Sequence, residues 1–181
     1  MTVASIQKIA VVSPLGGSGR TTLAVHLATL LAERATPCLA IDLCAQNMLG
    51  RHLGMQEATD AGWAALAAQQ QWWGPAALRN SDGVDLLPFG AATTSELEIL
   101  KREWALTPRW LRDRLDALDM PQGTTVLLDT PQWPAPLACQ ALSSAHIVLI
   151  VLEPSARACH AQPLVAQALA QAPADAQCAV V

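Results

Sequence analysis

The amino-acid sequence predicts an α/β fold in which helices cover both faces of a mostly parallel sheet. Short apolar segments recur along the 181 residues, and stretches rich in helix-forming residues separate them. Strands that are apolar throughout are typical of parallel sheets whose two faces are both covered. A glycine-rich segment follows the first apolar run, and ligands of such folds bind at the carboxyl ends of the strands. The sequence therefore predicts both the layers of the fold and the edge at which a ligand lies.

The strands are predicted at residues 9–12, 39–42, 84–87, 125–129, 147–152 and 178–181. The first helix is predicted over residues 21–35, because good helix formers follow the glycine-rich segment. Ser95 and Glu98 have the spacing of a capping box, which predicts a helix start at that point. Thr107 and Pro108 predict a break in the helical pattern before it resumes at Trp110. Strands and helices thus alternate through the chain.

Length and composition predict one domain over residues 1–181, because 52% of the residues are hydrophobic and a chain of this length buries a sizeable core. The formal net charge is −4, which disfavours nucleic acid as a partner. No apolar run is as long as a membrane span. The five cysteines are scattered and odd in number, which is typical of reduced thiols. We therefore expect a cytoplasmic protein without a membrane segment of its own.

The glycine-rich segment has the layout of a phosphate-binding loop. It consists of Leu15, Gly16, Gly17, Ser18, Gly19, Arg20, Thr21 and Thr22. Glycines allow successive backbone N–H groups to turn towards an anion, and the start of the following helix adds the positive end of its dipole. Thr21 stands where such loops hold Mg²⁺ with a hydroxyl, and Arg20 stands where they place a lysine against the β- and γ-phosphates. We predict that these residues bind a nucleotide.

Two other interpretations of this segment stay open. The first is an ordinary glycine turn before a helix, which binds nothing. The second is a dinucleotide fingerprint, because Asp42 ends a second strand about twenty residues further on, where a ribose-binding acid would stand. The third glycine of G-x-G-x-x-G is absent, since Arg20, Thr21 and Thr22 follow Gly19. The phosphate-binding loop is therefore favoured.

The loop resembles the deviant Walker A motif of the ParA/MinD group of P-loop ATPases, which reads K-G-G-x-G-K-[ST]. Leu15 replaces the first lysine of that motif, the signature lysine of the group, and Arg20 replaces the second. The segment 40–47 resembles the I-D-x-D-P-Q-x segment of the group. Asp42 matches its first aspartate, and Cys44 stands where the second, water-positioning aspartate is expected.

The segment 126–131 resembles the Walker B strand and its D-T-P turn, which places Asp129 close to the magnesium ion. The resemblance implies ATP and Mg²⁺ as cofactors, with Thr21 and Asp129 at the metal and Asp42 as the catalytic residue. It also implies a nucleotide-dependent homodimer, in which the signature lysine reaches the nucleotide of the partner. Leu15 removes that contact, so the resemblance implies weak or absent hydrolysis.

Within the group, the chain resembles the BcsQ proteins of cellulose-synthase operons from about residue 9 to residue 181. The resemblance rests on Cys44 two residues after Asp42, on Gly62-Trp63-Ala64 before a helix, and on the segment 84–90, which reads Val-Asp-Leu-Leu-Pro-Phe-Gly. Members of the ParA/MinD group usually continue beyond the strand at 178–181. The resemblance therefore implies a domain that lacks the C-terminal part of the fold.

The function implied by this resemblance is an ATP-binding regulatory subunit of bacterial cellulose biosynthesis. Its partners would be the regulatory components of cellulose synthase, and they would recruit it to the inner membrane. Two alternatives stay open: a partitioning or positioning ATPase of the ParA type, and a scaffold that binds no nucleotide. A basic outer surface would favour the partitioning ATPase, and the acidic net charge does not predict one.

Tryptophan is the dominant aromatic residue, with six tryptophans beside one phenylalanine and no tyrosine. We predict that most of them lie in the core and that Trp63, Trp72 and Trp73 share one helix. Trp133, which follows the Walker B turn, is expected at a partner surface. His26 is predicted to be a buried histidine of the first helix.

Overall fold

A seven-stranded sheet forms the centre of the structure, a computed structural model that describes residues 5–55 and 60–181. The strands β1 to β7, in chain order, are Gln7–Val12, Cys38–Asp42, Leu78–Arg79, Asp85–Leu87, Thr125–Asp129, Ile147–Ile150 and Gln177–Val180. Their order across the sheet is β3-β4-β2-β5-β1-β6-β7. Every pairing is parallel except that of β3 with β4. The predicted mostly parallel α/β fold is confirmed.

Eight α-helices are described beside the sheet. The helices α1 to α8 are Arg20–Glu33, Met48–His52, Trp63–Ala68, Thr94–Leu106, Trp110–Asp116, Pro136–Ser144, Ala156–His160 and Gln162–Gln171. No helix within the two described ranges is long and apolar enough to cross a membrane. The extent of the domain over residues 1–181 stays a prediction, and residues 1–4 and 56–59 lie outside the described part of the chain.

The two faces of the sheet carry separate apolar cores, because successive side chains of a strand point to opposite sides. On one face, Val11, Ala40 and Leu127 pack with α1 and α2. On the other face, the neighbouring residues of the same strands pack with α3, α4, α5, α6 and α8. Both faces are therefore covered, as the apolar strands predicted.

Several predicted boundaries are corrected. The first helix ends at Glu33 because Ala35 adopts a left-handed conformation with φ of 53°. The capping box is formed by Thr93 and Glu96, two residues earlier than predicted, and each side chain accepts the backbone N–H of the other residue. Glu98 instead pairs with Lys101 at 2.9 Å.

The short strand β3 was not predicted from the sequence. It forms a hairpin with β4, and the side chain of Asn80 holds the turn by accepting the backbone N–H groups of Asp82 and Val84. Gly83 has φ of 86°, a conformation that glycine adopts without strain. The Asp82-Gly83 dipeptide is a turn signal that could have found this hairpin.

Aromatic rings form one cluster on the larger core face. Trp63 is fully buried, and its ring centroid lies 4.9 Å from that of Trp73 and 4.8 Å from that of Phe89. Trp104 and Trp110 complete the cluster. The prediction that most tryptophans lie in the core is confirmed.

Three predictions about single side chains are wrong. Trp72 lies beyond the end of α3 and is 55% exposed, so the three tryptophans do not share one helix. Trp133 is buried, because its backbone N–H bonds to the carbonyl oxygen of Ser13 and its ring packs in the larger core. His26 is exposed, on the side of α1 that faces away from the sheet.

Candidate nucleotide-binding site

The predicted site residues converge at the carboxyl edge of the sheet. The glycine-rich loop joins β1 to α1, Asp42 is the last residue of β2, and Asp129 is the last residue of β5. Because β5 lies between β1 and β2, and Asp42 stands opposite Asp129 in the register, the two acids and the loop meet there. This is the edge at which the sequence predicted a ligand.

The loop has the backbone conformation that its glycines allow. Gly17 and Gly19 have φ of 75° and 92°, and Gly19 is the N-cap residue immediately before α1. A Cβ added to either glycine would meet no atom within 4 Å, so open space lies beside both. The first turn of α1 contains no acidic side chain. The positive end of the helix dipole is therefore free to attract an anion.

Thr21 and Asp129 are in direct contact. The hydroxyl of Thr21 donates a 2.8 Å hydrogen bond to Oδ2 of Asp129. The other carboxylate oxygen, Oδ1, is buried and has no hydrogen-bond partner among the described residues, and the buried hydroxyl of Ser18 has none there either. Mg²⁺ prefers oxygen ligands, and a buried oxygen without a partner is costly unless a ligand or water satisfies it. The hydroxyl of Thr21 and the carboxylate of Asp129 thus fit a magnesium site.

Arg20 lies against the loop itself. Its Nη1 donates to the carbonyl oxygens of Leu15 at 2.9 Å and Ser13 at 3.3 Å, and its Nε is buried without a partner. A guanidinium has five N–H donors, so other donors remain for a phosphate. Arg20 therefore brings positive charge to the loop and also holds the loop backbone in shape.

The carboxylate of Asp42 is held by the backbone that follows β2. Its Oδ1 accepts the N–H of Cys44 at 2.8 Å, and its Oδ2 accepts the N–H of Leu49 at 3.0 Å. Its backbone carbonyl accepts the indole N–H of Trp63. Asp42 therefore fixes the turn from β2 to α2, a structural role that the sequence did not indicate.

Both acids are desolvated, and burial is the main reason that their pKa values rise. The pKa of Asp42 is raised to about 7, by burial and by the nearby Asp129, against the effect of its two backbone hydrogen bonds. Burial raises the pKa of Asp129 to about 6, against the Thr21 hydrogen bond and the charge of Arg20. Burial opposes the ionised form of both carboxylates, and a bound cation would stabilise that ionised form.

Cys44 lies beside the two acids at the place where the resemblance expects an aspartate. Its Sγ is 3.9 Å from the carbonyl oxygen of Asp129. Burial and the charges of Asp129 and Asp42 raise the pKa of the thiol. Without a bound metal ion, Cys44 is therefore a neutral thiol, which does not orient a water molecule as a carboxylate does.

Leu15 faces apolar surroundings. It lines an apolar depression of about 460 Å³ together with residues of α7, of α8 and of the junction between them, namely Ala156, Arg157, His160, Ala161 and Leu164. The leucine thus has matching neighbours in its own chain. Of the remaining loop residues, Gly16 and Thr22 are exposed.

Two residues that the sequence analysis missed support the loop. The buried Ser13 accepts the N–H of Leu15 with its hydroxyl. Gln132 donates its side-chain N–H to the carbonyl oxygen of Pro14 at 2.8 Å, and its Oε1 would lie 3.3 Å from a Cβ at Gly16. Ser13 lies two residues before the first loop residue, Leu15, and Gln132 immediately follows the D-T-P turn. These positions are the signal that could have found them.

The segments 62–64 and 84–90, on which the resemblance to the BcsQ proteins rests, are in contact in the structure. Gly62 and Gly90 touch through their backbones, because a Cβ at Gly62 would lie 2.2 Å from the carbonyl oxygen of Phe89 and 2.3 Å from Cα of Gly90. The N–H of Trp63 bonds to the carbonyl oxygen of Pro88. The side chain of Asn47 bonds to both the N–H and the carbonyl oxygen of Gly90. These contacts connect the aromatic cluster with the turn that Asp42 holds.

An apolar cavity of about 500 Å³ lies at the other end of the sheet. It is lined by residues at the starts of strands, including Cys38, Asp85 and Thr124, and by the exposed Trp72. Because the loop and both site acids lie at the carboxyl ends of the strands, this cavity is separate from the candidate site.

The sequence model of the family described as "Cellulose biosynthesis protein BcsQ" matches residues 6–176. The chain belongs to the BcsQ family. It is 32% identical to the BcsQ protein of Salmonella typhi over 146 residues, which cover 80% of this chain and 58% of that protein. The chain therefore spans less than two thirds of the length of this BcsQ relative.

Solved structures of other proteins share this fold. Cobyrinic acid a,c-diamide synthase of Mycobacterium smegmatis, with bound ATP analogue and magnesium, superposes with a TM-score of 0.81 at 20% identity, over 99% of this chain and 74% of the other. The septum site-determining protein MinD of Pyrococcus horikoshii, complexed with Mg-ADP, has a TM-score of 0.74 at 23% identity, over 96% and 68%. At these identities the likeness shows the fold alone.

Proposed function

We propose that this BcsQ-family chain binds ATP with Mg²⁺ and that nucleotide occupancy regulates bacterial cellulose production. The observation that carries the proposal is the contact of Thr21 with Asp129, which leaves one buried carboxylate oxygen without a partner beside the loop. Two groups that a magnesium-nucleotide site requires, a hydroxyl and a carboxylate, thus meet next to a backbone shaped by Gly17 and Gly19.

Each residue has a defined task in binding. The backbone N–H groups of the loop and the start of α1 hold the phosphates, and Arg20 adds positive charge at the β- and γ-phosphates. Thr21 and Asp129 hold the magnesium ion, which when bound neutralises phosphate charge. The ATP analogue and Mg-ADP in the structures of the two fold relatives support this choice of ligand.

Hydrolysis is proposed to be weak or absent. Phosphoryl transfer depends almost entirely on positioning and on stabilising charge. Leu15 supplies no cation to a partner's nucleotide, Cys44 does not orient water, and Arg20 is bonded to the carbonyl oxygens of its own loop. Asp42 is the remaining candidate for a catalytic role, and its carboxylate already accepts two backbone N–H groups.

The regulatory role is proposed to act through assembly. Nucleotide occupancy would control the formation of a homodimer and its docking to regulatory components of cellulose synthase. The chain would act in the cytoplasm and reach the inner membrane through these partners. Membership of the BcsQ family supports the choice of process.

Isothermal titration of the protein with ATP and Mg²⁺, with light scattering to follow dimerisation, tests the proposal. Gly19→Val is the informative variant, because a β-branched residue at φ of 92° strains the loop. Gly83→Val is the matched control, since Gly83 has φ of 86° in the β3–β4 hairpin, away from the loop. We expect Gly19→Val to abolish binding and Gly83→Val to retain it. Equal ATP affinity in both variants would contradict the site assignment.

A further inference from the structure

The substitution at residue 44 places a sulfur ligand between two buried acids. One ligand atom from each of Asp42, Cys44 and Asp129 lies within 4.8 Å of the others. Asp42 and Asp129 are each 1% exposed. Within the described ranges, no lysine, arginine or histidine forms an ion pair with either carboxylate. Arg20 and His52 act on Asp129 only through their charge at a distance. No cation among the described residues is therefore bonded to the cluster, and the burial of these acids is costly.

A second observation points to a ligand at the same place. Oδ1 of Asp129 is buried and has no hydrogen-bond partner in the part of the chain that the structure describes, although Oδ2 accepts the hydroxyl of Thr21. Asp42 accepts one N–H on each oxygen, which leaves lone pairs on both. Both carboxylates therefore keep acceptor capacity that the protein itself does not use.

The donor set selects the kind of cation. One thiol sulfur and two carboxylate oxygens suit a borderline-soft ion such as Zn²⁺, which binds four ligands in a tetrahedron. Neighbouring ligand atoms around zinc are about 3.5 Å apart, so a bound zinc ion would draw together three atoms that now lie within 4.8 Å of one another. Mg²⁺ demands oxygen ligands in an octahedron and gains nothing from sulfur. Cys44 therefore favours a zinc-like cation over Mg²⁺ at this position.

We propose that Asp42, Cys44 and Asp129 form a binding site for a thiophilic divalent cation of the zinc class. The thiol loses its proton to solvent as the metal binds, and water or the Thr21 hydroxyl supplies the fourth ligand. Asp129 takes part in both metal sites, so zinc and magnesium-nucleotide exclude each other. Zinc concentration then controls how much of the protein can bind nucleotide.

Titration with Co²⁺, a spectroscopic substitute for Zn²⁺, tests the site in the absence of nucleotide. Cys159 and Cys178 are exposed, so the protein carries Cys159→Ser and Cys178→Ser to remove competing thiols. We expect one cobalt ion per chain, with a sulfur-to-cobalt charge-transfer band and the intense visible bands of tetrahedral coordination. Added Zn²⁺ should abolish both signals.

Variants at Cys44, which is half-buried, and at the buried Cys38 identify the ligand. Cys44→Ser should remove the charge-transfer band and weaken cobalt binding at least about tenfold. Cys38→Ser is the matched control, because Cys38 is a buried thiol at the opposite end of β2, and it should retain the band. Asp129→Asn should weaken cobalt binding with the protein still folded by circular dichroism.

Two results would overturn the proposal. One is a charge-transfer band that persists in Cys44→Ser, and the other is a folded parent protein without any such band. Because these titrations contain no nucleotide, they are independent of the proposed ATP binding. Failure of ATP to bind in calorimetry would contradict the nucleotide site and leave the cobalt result standing.

Discussion

The indole N–H of Trp63 donates a 2.8 Å hydrogen bond to the backbone carbonyl oxygen of Asp42. Trp63 is the centre of the aromatic cluster on the larger core face, and Asp42 ends β2 at the candidate site. The aromatic cluster is therefore attached directly to the strand end that carries a site acid. The side chain of Trp63 thus connects the packing of the larger core with the position of Asp42 at the candidate site.

Trp63→Phe should lower the free energy of unfolding by about 1–3 kcal/mol, because it removes a buried hydrogen bond and leaves unfilled volume. Trp72→Phe is the matched control, since Trp72 is 55% exposed, and its effect should stay within about 0.5 kcal/mol. Urea unfolding followed by circular dichroism measures both. Equal losses in the two variants would contradict the central position of Trp63.

Arg20→Ala should weaken binding of ATP by about tenfold or more and that of AMP much less, because only ATP places further phosphates near the guanidinium. Calorimetry with the two nucleotides measures the difference. Arg20→Lys is the control that keeps the charge and removes the fork. If Arg20→Ala weakens ATP and AMP equally, Arg20 acts only by holding the carbonyl oxygens of Ser13 and Leu15.

Asp129 should make the nucleotide-free protein less stable as pH rises. Its pKa is raised from an ordinary value of 3.8 to about 6, so the folded state holds a proton that the unfolded state releases between these values. Below about pH 4 Asp129 is protonated in both states and does not lower the free energy of unfolding. Between about pH 4 and pH 6 the free energy of unfolding falls by up to about 3 kcal/mol. Asp129→Asn keeps an acceptor for Thr21 and cannot ionise.

Urea unfolding of the parent and Asp129→Asn between pH 4 and pH 7, without metal or nucleotide, measures this dependence. The difference in stability between the two proteins should shift in favour of the variant as pH rises through this range. A difference that stays constant with pH would show that Asp129 titrates normally in the folded protein.

Restoring the three substituted positions together should raise ATP hydrolysis. Leu15→Lys, Cys44→Asp and Arg20→Lys return the lysines and the water-positioning carboxylate of the resembled motif. Removing one hydrogen-bond donor that stabilises transition-state charge typically lowers the rate by about 10²–10³-fold. Phosphate release from the parent should be near background and should rise in the triple variant.

A control variant distinguishes ATP hydrolysis at this site from hydrolysis by a contaminating enzyme. Asp42→Asn in the triple variant should reduce any restored turnover, because Asp42 is the predicted catalytic acid. If the parent already hydrolyses several ATP molecules per minute, and Asp42→Asn leaves that rate unchanged, the proposal of weak hydrolysis is wrong.

The sequence by itself determined the layers of this protein and the edge that carries the site. Apolar strands predict a covered parallel sheet, and a glycine loop between a strand and a helix predicts an anion site, because both signals are local in the chain. The loop pattern predicted Thr21 at the metal, and the resemblance of segment 126–131 to a Walker B strand implied Asp129 there. The structure places them in contact, although 108 residues separate them.

Only the tertiary structure decided what surrounds those residues. The burial of Asp42 and Asp129, the bonds of Arg20 to its own loop and the burial of Trp133 depend on which strands and turns become neighbours. The contact of Gly62 with Gly90 likewise joins segments that lie apart in the sequence. Desolvation and long-range packing arise from the folded arrangement as a whole, so no local pattern of residues encodes them.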